Sequence, residues 1–336
     1  MEEECPRVSM ERTSKIFRRS IHIFLKNYHY FTSTIALLLL PVSISVLLSQ
    51  AIIPSTSPFM VTTHTRLVSL FEAAGFPSST HFFSILSMKI SQTIGSSIYS
   101  LPFTLSYMLF AKAAIIQALS YSRPPVSPMF SSVVPSYSAL LSTYVCNSFI
   151  IISANASAFF LVFFAFNSFE AFGFSSNNSL LFISAAVAVI YSVILANTFV
   201  TCNLALIVAG MEKCGGYLAI VKALVLIKGR FSTALSLALP VNFGLAALEA
   251  LFHYRIVRAY RVSDKLTGYI ALEGLLIAYL YSIFIMIDCI ATCIFYKSCK
   301  SSSRIEETRY YRIELLEEDE DDNGAFTKAK ILDEVV

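Results

Sequence analysis

The chain has no tryptophan and little charge. Only 14% of its 336 residues are Asp, Glu, Lys or Arg, well below the ~25% of an ordinary soluble domain. The formal charge of +3 offers no concentration of cations fit to neutralise a phosphate backbone, so nucleic acid is not an expected partner. Catalytic signatures are missing as well. There is no Gly-x-Ser-x-Gly elbow, no His-Glu-x-x-His and no phosphate-binding Gly-x4-Gly-Lys loop. The seven cysteines form no Cys-x-x-Cys pair, so neither a zinc site nor a disulfide framework is expected. The five histidines, His22, His29, His64, His81 and His253, are scattered near apolar-run ends or in loops. They show no spacing that would gather ligands or a general base. On these grounds no enzymatic activity, cofactor or metal is expected.

What is present is apolar. Hydrophobic residues make up 56% of the chain, and the charges collect at the two ends and in short connections. The runs between them are long and continuous. About 20 apolar residues cross ~30 Å of hydrocarbon as a helix. Continuous rather than alternating runs disfavour a barrel. The expected fold is therefore all-α, a polytopic transmembrane bundle of six spans at 30–53, 94–119, 137–169, 180–211, 231–251 and 267–296. Residues 1–29 form a basic N-terminal segment, whose part 16–28 suits a helix on the membrane surface. Their length favours a retained first span over a cleaved signal peptide. Residues 66–74 read as a short helix stopped at 75–77. Pro41, Pro102 and Pro240 fall inside spans and should kink them. Without tryptophan, interface anchoring falls to tyrosines near span ends: Tyr28, Tyr30, Tyr121, Tyr137, Tyr269 and Tyr296.

Lys and Arg in alternate connections set the orientation. Segments 1–29, 120–136, 212–230 and 297–336 hold 18, and the opposite set holds 6. The positive-inside rule then places both termini in the cytosol, in an endomembrane or plasma membrane. The dissenting connection is 252–266, with Arg255, Arg258, Arg261 and Lys265. It would become cytosolic if span five were only a re-entrant segment.

Charges within spans are costly and therefore informative. Lys112 and Asp288 fall at similar depth in spans two and six and read as an ion pair. Glu249 and Glu273 fall toward the outer side, near Arg255 and Arg258, as a candidate polar cluster. These groups are either a structural pairing or part of a proton or cation path. Asn147, Asn155, Asn197, Asn203 and Asn242 also lie in spans, as interhelical glue or as the lining of a polar cavity.

The segment 211–230 stands apart. Gly215 and Gly216 break the helix after span four. Residues 217–228 are too short to cross and carry lysines beside an apolar body, so an interfacial amphipathic helix is expected, with Lys213, Lys222 and Lys228 meeting anionic lipid at ~1 kcal/mol each. A helix merely packed on the end of the bundle is the alternative.

The pattern of Glu212, Gly216, Ala219, Lys222, Ala223 and Gly229 between two spans resembles the membrane domain attached to some bacterial glycerophosphodiester phosphodiesterases. The whole chain looks like a plant family of uncharacterised six-span transmembrane proteins. Similar features are Phe71 with the Ala74-Gly75-Phe76-Pro77 stretch, Lys112-Ala113 after Pro102, and Phe295-Tyr296 with Cys299-Lys300 after Asp288. The resemblance implies an architecture of spans with an interfacial helix. It does not imply phosphodiesterase activity, which resides in a separate soluble domain for which this chain has no room.

Residues 297–336 read as a disordered cytosolic tail with an acidic run at 317–322, able to bind cytosolic protein partners. Cys299, between Lys297 and Lys300, suits S-palmitoylation. The sequence therefore points first to a non-enzymatic protein that organises lipid or partners, and second to a transporter or channel using the intramembrane charges.

Overall fold

The computed structural model of the chain describes the backbone of residues 13–52, 58–73, 81–120, 130–171, 177–263 and 268–333. Among these residues all regular structure is helical. Arg7 and Arg12, the expected stop at 75–77, and Tyr121 lie outside them.

Helix α1 is Thr13–Lys26. Its buried residues Ile16, Ser20 and Phe24 recur at the four-residue spacing of one helical face. Arg18, Arg19, His22 and Lys26 face outward. Helix α2 covers 28–52, with a π turn at Phe31–Ile35. Helix α3 is Pro58–Ala73, longer than the expected 66–74. Helix α4 covers 81–120 with a π turn at Thr104–Met108. Helices α5, Phe130–Ala171, and α6, Asn177–Glu212, form a long hairpin. The short α7 is Tyr217–Ile227. Helix α8 covers 231–263, with a π turn at His253–Val257.

Helix α9 is Gly268–Asp333. It does not stop at Tyr296, where span six was expected to end. It continues through the stretch expected to be disordered.

Five segments have the length and apolarity to cross a bilayer: Ile90–Ser120, Pro135–Ala165, Ala185–Glu212, Phe231–Tyr260 and Gly268–Ser302. Shorter apolar helices are Ala36–Ser49 and Tyr217–Ile227. The protein is an all-helical integral membrane protein by these features. Span five lies in one unbroken helix long and apolar enough to cross. Helix α8 passes through 252–263 without a break, so the arginine-rich connection is largely a helical extension.

Each proline within a span sits in a helix that continues past it. Proline lacks the N–H that would close its turn. After Pro102 the helix widens into the π turn, and hydroxyls donate to carbonyls at and just before the proline. Ser106 Oγ donates to Pro102 O at 2.6 Å and Thr104 Oγ1 to Ser100 O at 3.0 Å. Tyr137, expected as an interface anchor, donates its hydroxyl to Leu105 O at 2.9 Å.

Two apolar clusters mark the two ends of the bundle. The larger joins Ile16 and Phe24 of α1, Phe31 and Leu39 of α2, Ile115 of α4, Ile207 of α6, Ile220 and Ile227 of α7 and Phe295 of α9. The smaller joins Leu47 of α2 to Phe252, Ile256 and Tyr281. Helix α2 therefore runs from one cluster to the other.

Candidate functional site

The charged residues singled out in the sequence fall in three separate regions of the bundle. The first is buried. Lys112, 4% exposed, does not pair directly with Asp288. Its Nζ donates to Asn203 Oδ1 at 2.7 Å, and Asn203 Nδ2 donates to Asp288 Oδ2 at 2.8 Å. Thr292 lies beside them, 3.4 Å from Asn203 Nδ2, with its own hydroxyl donating to Asp288 O at 2.8 Å. An amide is suited to this position because it offers an acceptor to the ammonium and a donor to the carboxylate. The chain of bonds ties α4, α6 and α9 together. A cavity of about 30 Å³ opens next to it, lined by Asn203, Asp288 and Thr292 on one side and by Ala234, Leu237 and Ala238 on the other.

The second site is the end of the bundle where α7 docks. Helix α6 ends at Glu212, and the chain turns through Lys213, with φ +54°, and Gly216, with φ +73°. Gly215 passes so close to α5 that an added Cβ would lie 3.0 Å from Ala139 Cα. The Gly216 N–H is taken up by Thr143 Oγ1 at 2.9 Å. The turn therefore needs glycine at 215 for space and at 216 for conformation.

Glu212 is the hub of this turn. It accepts from Lys222 Nζ at 2.8 Å, Lys300 Nζ at 2.6 Å and the Tyr296 hydroxyl at 2.6 Å. The hydrogen bond to Glu212 is the first cause holding the Lys222 ammonium above the ordinary lysine range. Ala219 and Ala223 are fully buried with Ile220 and Ile227 on the inner face of α7. Small side chains at 219 and 223 let the helix lie close against the bundle. The outer face is apolar and open: Tyr217 is 71% exposed and Val225 70%, with Leu218 and Leu224 beside them. Gly229, with φ +75°, closes the segment. Arg230 donates to Cys299 O at 3.1 Å and to Ser302 Oγ at 2.9 Å. Lys297 donates to Leu119 O at 2.6 Å and so covers a carbonyl at the end of α4, while Arg230 braces α9 within its length.

Two expectations change here. Lys222 is engaged by Glu212, which leaves Lys213 and Lys228 as the exposed lysines flanking α7. Cys299 has no exposed surface, and an enclosed thiol cannot meet an acyl donor. The palmitoylation reading does not fit this packing.

The third site does not converge. Glu249, Glu273, Arg255 and Arg258 were expected as one outer cluster. Instead Arg255 Nε pairs with Glu273 Oε1 at 2.7 Å. Glu249 accepts from the Tyr281 hydroxyl at 2.8 Å. Arg258 lies over the Tyr254 ring, 5.5 Å from its centre. An apolar groove of about 210 Å³ lies nearby, lined by Leu47, Phe252, Ile256, Ile270, Gly274 and Ala278 among others.

Sequence reasoning missed Asn203 as the bridge, Tyr296 and Lys300 as partners of Glu212, and the contact of His64 Nε2 with Ser87 Oγ at 3.2 Å. The first two fall on different helices from their partners, so no local spacing announces them. Among the described residues no group of three His, Cys, Asp or Glu side chains is placed to hold a metal ion.

Bundle, turn and polar core together define a multi-pass helical membrane protein. The chain belongs to the family described as a domain of unknown function, DUF8558, whose model matches residues 1–319. No curated protein and no solved structure matches the chain.

Proposed function

We propose that this is a non-enzymatic six-span membrane protein that organises anionic lipid at the cytosolic face of an endomembrane or plasma membrane. The observation that carries the reading is the mounting of α7. Glu212, Gly215 and Gly216 hold it rigidly to the bundle, while Tyr217, Leu218, Leu224 and Val225 form an open apolar face. Such a face is stable only against hydrocarbon, with the helix lying at the boundary of headgroups and acyl chains. The exposed Lys213 and Lys228 sit at its two ends, where each would attract anionic headgroups by about 1 kcal/mol. Helix α1 adds Arg18, Arg19 and Lys26 as exposed cations, and its apolar side shares a cluster with α7. The orientation with both termini in the cytosol rests on the excess of Lys and Arg on that side. The C-terminal extension would meet cytosolic protein partners.

The test is to place a fluorophore on Leu218→Cys and reconstitute the full chain in vesicles carrying a brominated quencher lipid. Quenching should be stronger when the brominated lipid is phosphatidylserine than when it is phosphatidylcholine. Lys213→Gln with Lys228→Gln should abolish that preference. Equal quenching by both lipids would remove the anionic-lipid role, and no quenching by either would put α7 in water.

A second reading, ion or proton transport, is favoured by one feature only, the small cavity that the Asp288 carboxylate shares with Asn203 and Thr292. Its size suits a water molecule rather than a solute. Replacing Lys112 by Met and Asp288 by Leu together should leave lipid selectivity unchanged. Loss of a measured ion flux in that variant, with folding intact, would instead favour transport.

A further inference from the structure

The five asparagines within spans differ in what their side chains touch. Asn147 donates to Cys202 O at 2.8 Å. Asn155 donates to Ile151 O and accepts from the Tyr191 hydroxyl, each at 2.8 Å. Asn203 bridges Lys112 and Asp288. Asn242 donates to Ala238 O, one turn back in its own helix, at 2.9 Å. Asn197 stands apart, since its carboxamide is exposed and has no hydrogen bond among the described residues.

Asn197 lies near the middle of the 28-residue segment Ala185–Glu212, and so near the centre of the bilayer. Hydrocarbon offers an amide neither donor nor acceptor, so leaving it bare is costly. Its surroundings are bare as well. Ile190 and Val193, on the same face of α6 by helical spacing, are 57% and 54% exposed. Only 6% of the apolar stretch of α6 is buried within the protein, and 11% of that of α5, against 44% for α4. The outer part of the α5–α6 hairpin is therefore the least covered part of the bundle.

We propose that this face of α6 is a self-association surface, on which a second copy of the chain packs about a two-fold axis along the membrane normal. The amide argues for that occupant. It is both donor and acceptor, so two identical carboxamides satisfy each other. A two-fold axis places both copies of Asn197 at the same depth without further adjustment. Asparagine across a helix–helix contact in a membrane is the kind of polar group that specifies such pairing. Ile190 and Val193 supply the apolar packing on the same side.

The experiment is association of the full chain in lipid vesicles, read by energy transfer between labelled copies over a range of protein-to-lipid ratios. The wild type should associate, and Asn197→Leu should weaken that association by roughly three- to tenfold, as expected for one to two interhelical hydrogen bonds. Asn197→Gln should retain it. Thermal unfolding of Asn197→Leu should match the wild type, which separates lost association from lost fold. In parallel, Val193→Cys should cross-link between copies under mild oxidation and Phe243→Cys, on the exposed side of α8, should not. A wild type that stays monomeric at every ratio would overturn the proposal and assign the face to lipid. Association unaffected by Asn197→Leu, with no cross-link at 193, would overturn it in favour of another face. A stoichiometric protein of different sequence seated there would overturn it too.

Discussion

The Lys112–Asn203–Asp288 chain shows how one neutral side chain decides the energetics of two charged ones. Each charge is stabilised by the amide between them rather than by direct contact. Removing either charge leaves its side of the amide unpaired and the opposite charge uncompensated. Lys112→Met should therefore destabilise the protein by about 3 kcal/mol, and Asn203→Leu by a similar amount because it strands both charges. Replacing all three with Met, Leu and Leu should recover most of that loss, since an apolar trio leaves nothing unsatisfied. Unfolding midpoints of the purified protein in detergent would check the order. A triple variant less stable than either single one would mean that the polar chain holds the three helices in place by more than mutual satisfaction.

At the scale of the element, the α6–α7 turn makes the sharpest stability prediction. Gly215→Ala would drive a Cβ to 3.0 Å from Ala139 Cα and 3.1 Å from Ala139 O. Backbone atoms cannot swing aside, so the cost should be roughly 1–3 kcal/mol, as for other overpacked sites. Gly229→Ala meets no atom within 4 Å but keeps φ at +75°, so only conformational strain of about 1 kcal/mol is expected. Gly268→Ala meets neither obstacle and should be neutral within about 0.5 kcal/mol. The same thermal measurement ranks all three, and equal losses at 215 and 268 would contradict the close approach. These elements also show what could be read in advance. The apolar runs, the Gly215-Gly216 break and α7 were legible because each depends on local composition. The π turn after Pro102 was not, because its stability comes from Tyr137 on another helix as well as from local hydroxyls. The outer cluster was legible only in part, since Arg255 does meet Glu273 while Glu249 and Arg258 turn to tyrosines. Glu249, Arg255 and Arg258 are close in sequence, but their partners Tyr281, Glu273 and Tyr254 follow from helical facing and from the register of α8 against α9. Cys299 looked accessible from its neighbours Lys297 and Lys300, yet position along a helix says nothing of which face is covered.

For the whole molecule, the number of crossings turns on α2. Its regular part, Ala36–Ile52, is 17 residues, shorter than the other five segments. With the preceding π turn, however, the helical stretch begins at Tyr28, long enough to cross at 1.5 Å per residue. Phe31 and Leu39 lie in the cluster that contains α7, and Leu47 lies in the cluster that contains Phe252 and Ile256. A helix joining the two end clusters should join the two sides of the membrane. If so, the connection at Lys26 and the exposed Lys228 share one side, and Tyr260, 48% exposed, lies on the other. Cysteines introduced singly at these three positions, with Cys5 and Cys214 replaced, can be labelled by an impermeant maleimide on intact vesicles. Positions 26 and 228 should react from the cytosolic side and position 260 only after the membrane is opened. Reaction of 26 and 228 from opposite sides would reduce the bundle to five crossings and leave α2 as a helix buried within it. The charge count points to the first outcome through long-range bias. The packing points to it independently, through apolar contacts that bring α1 and α7 to the same end.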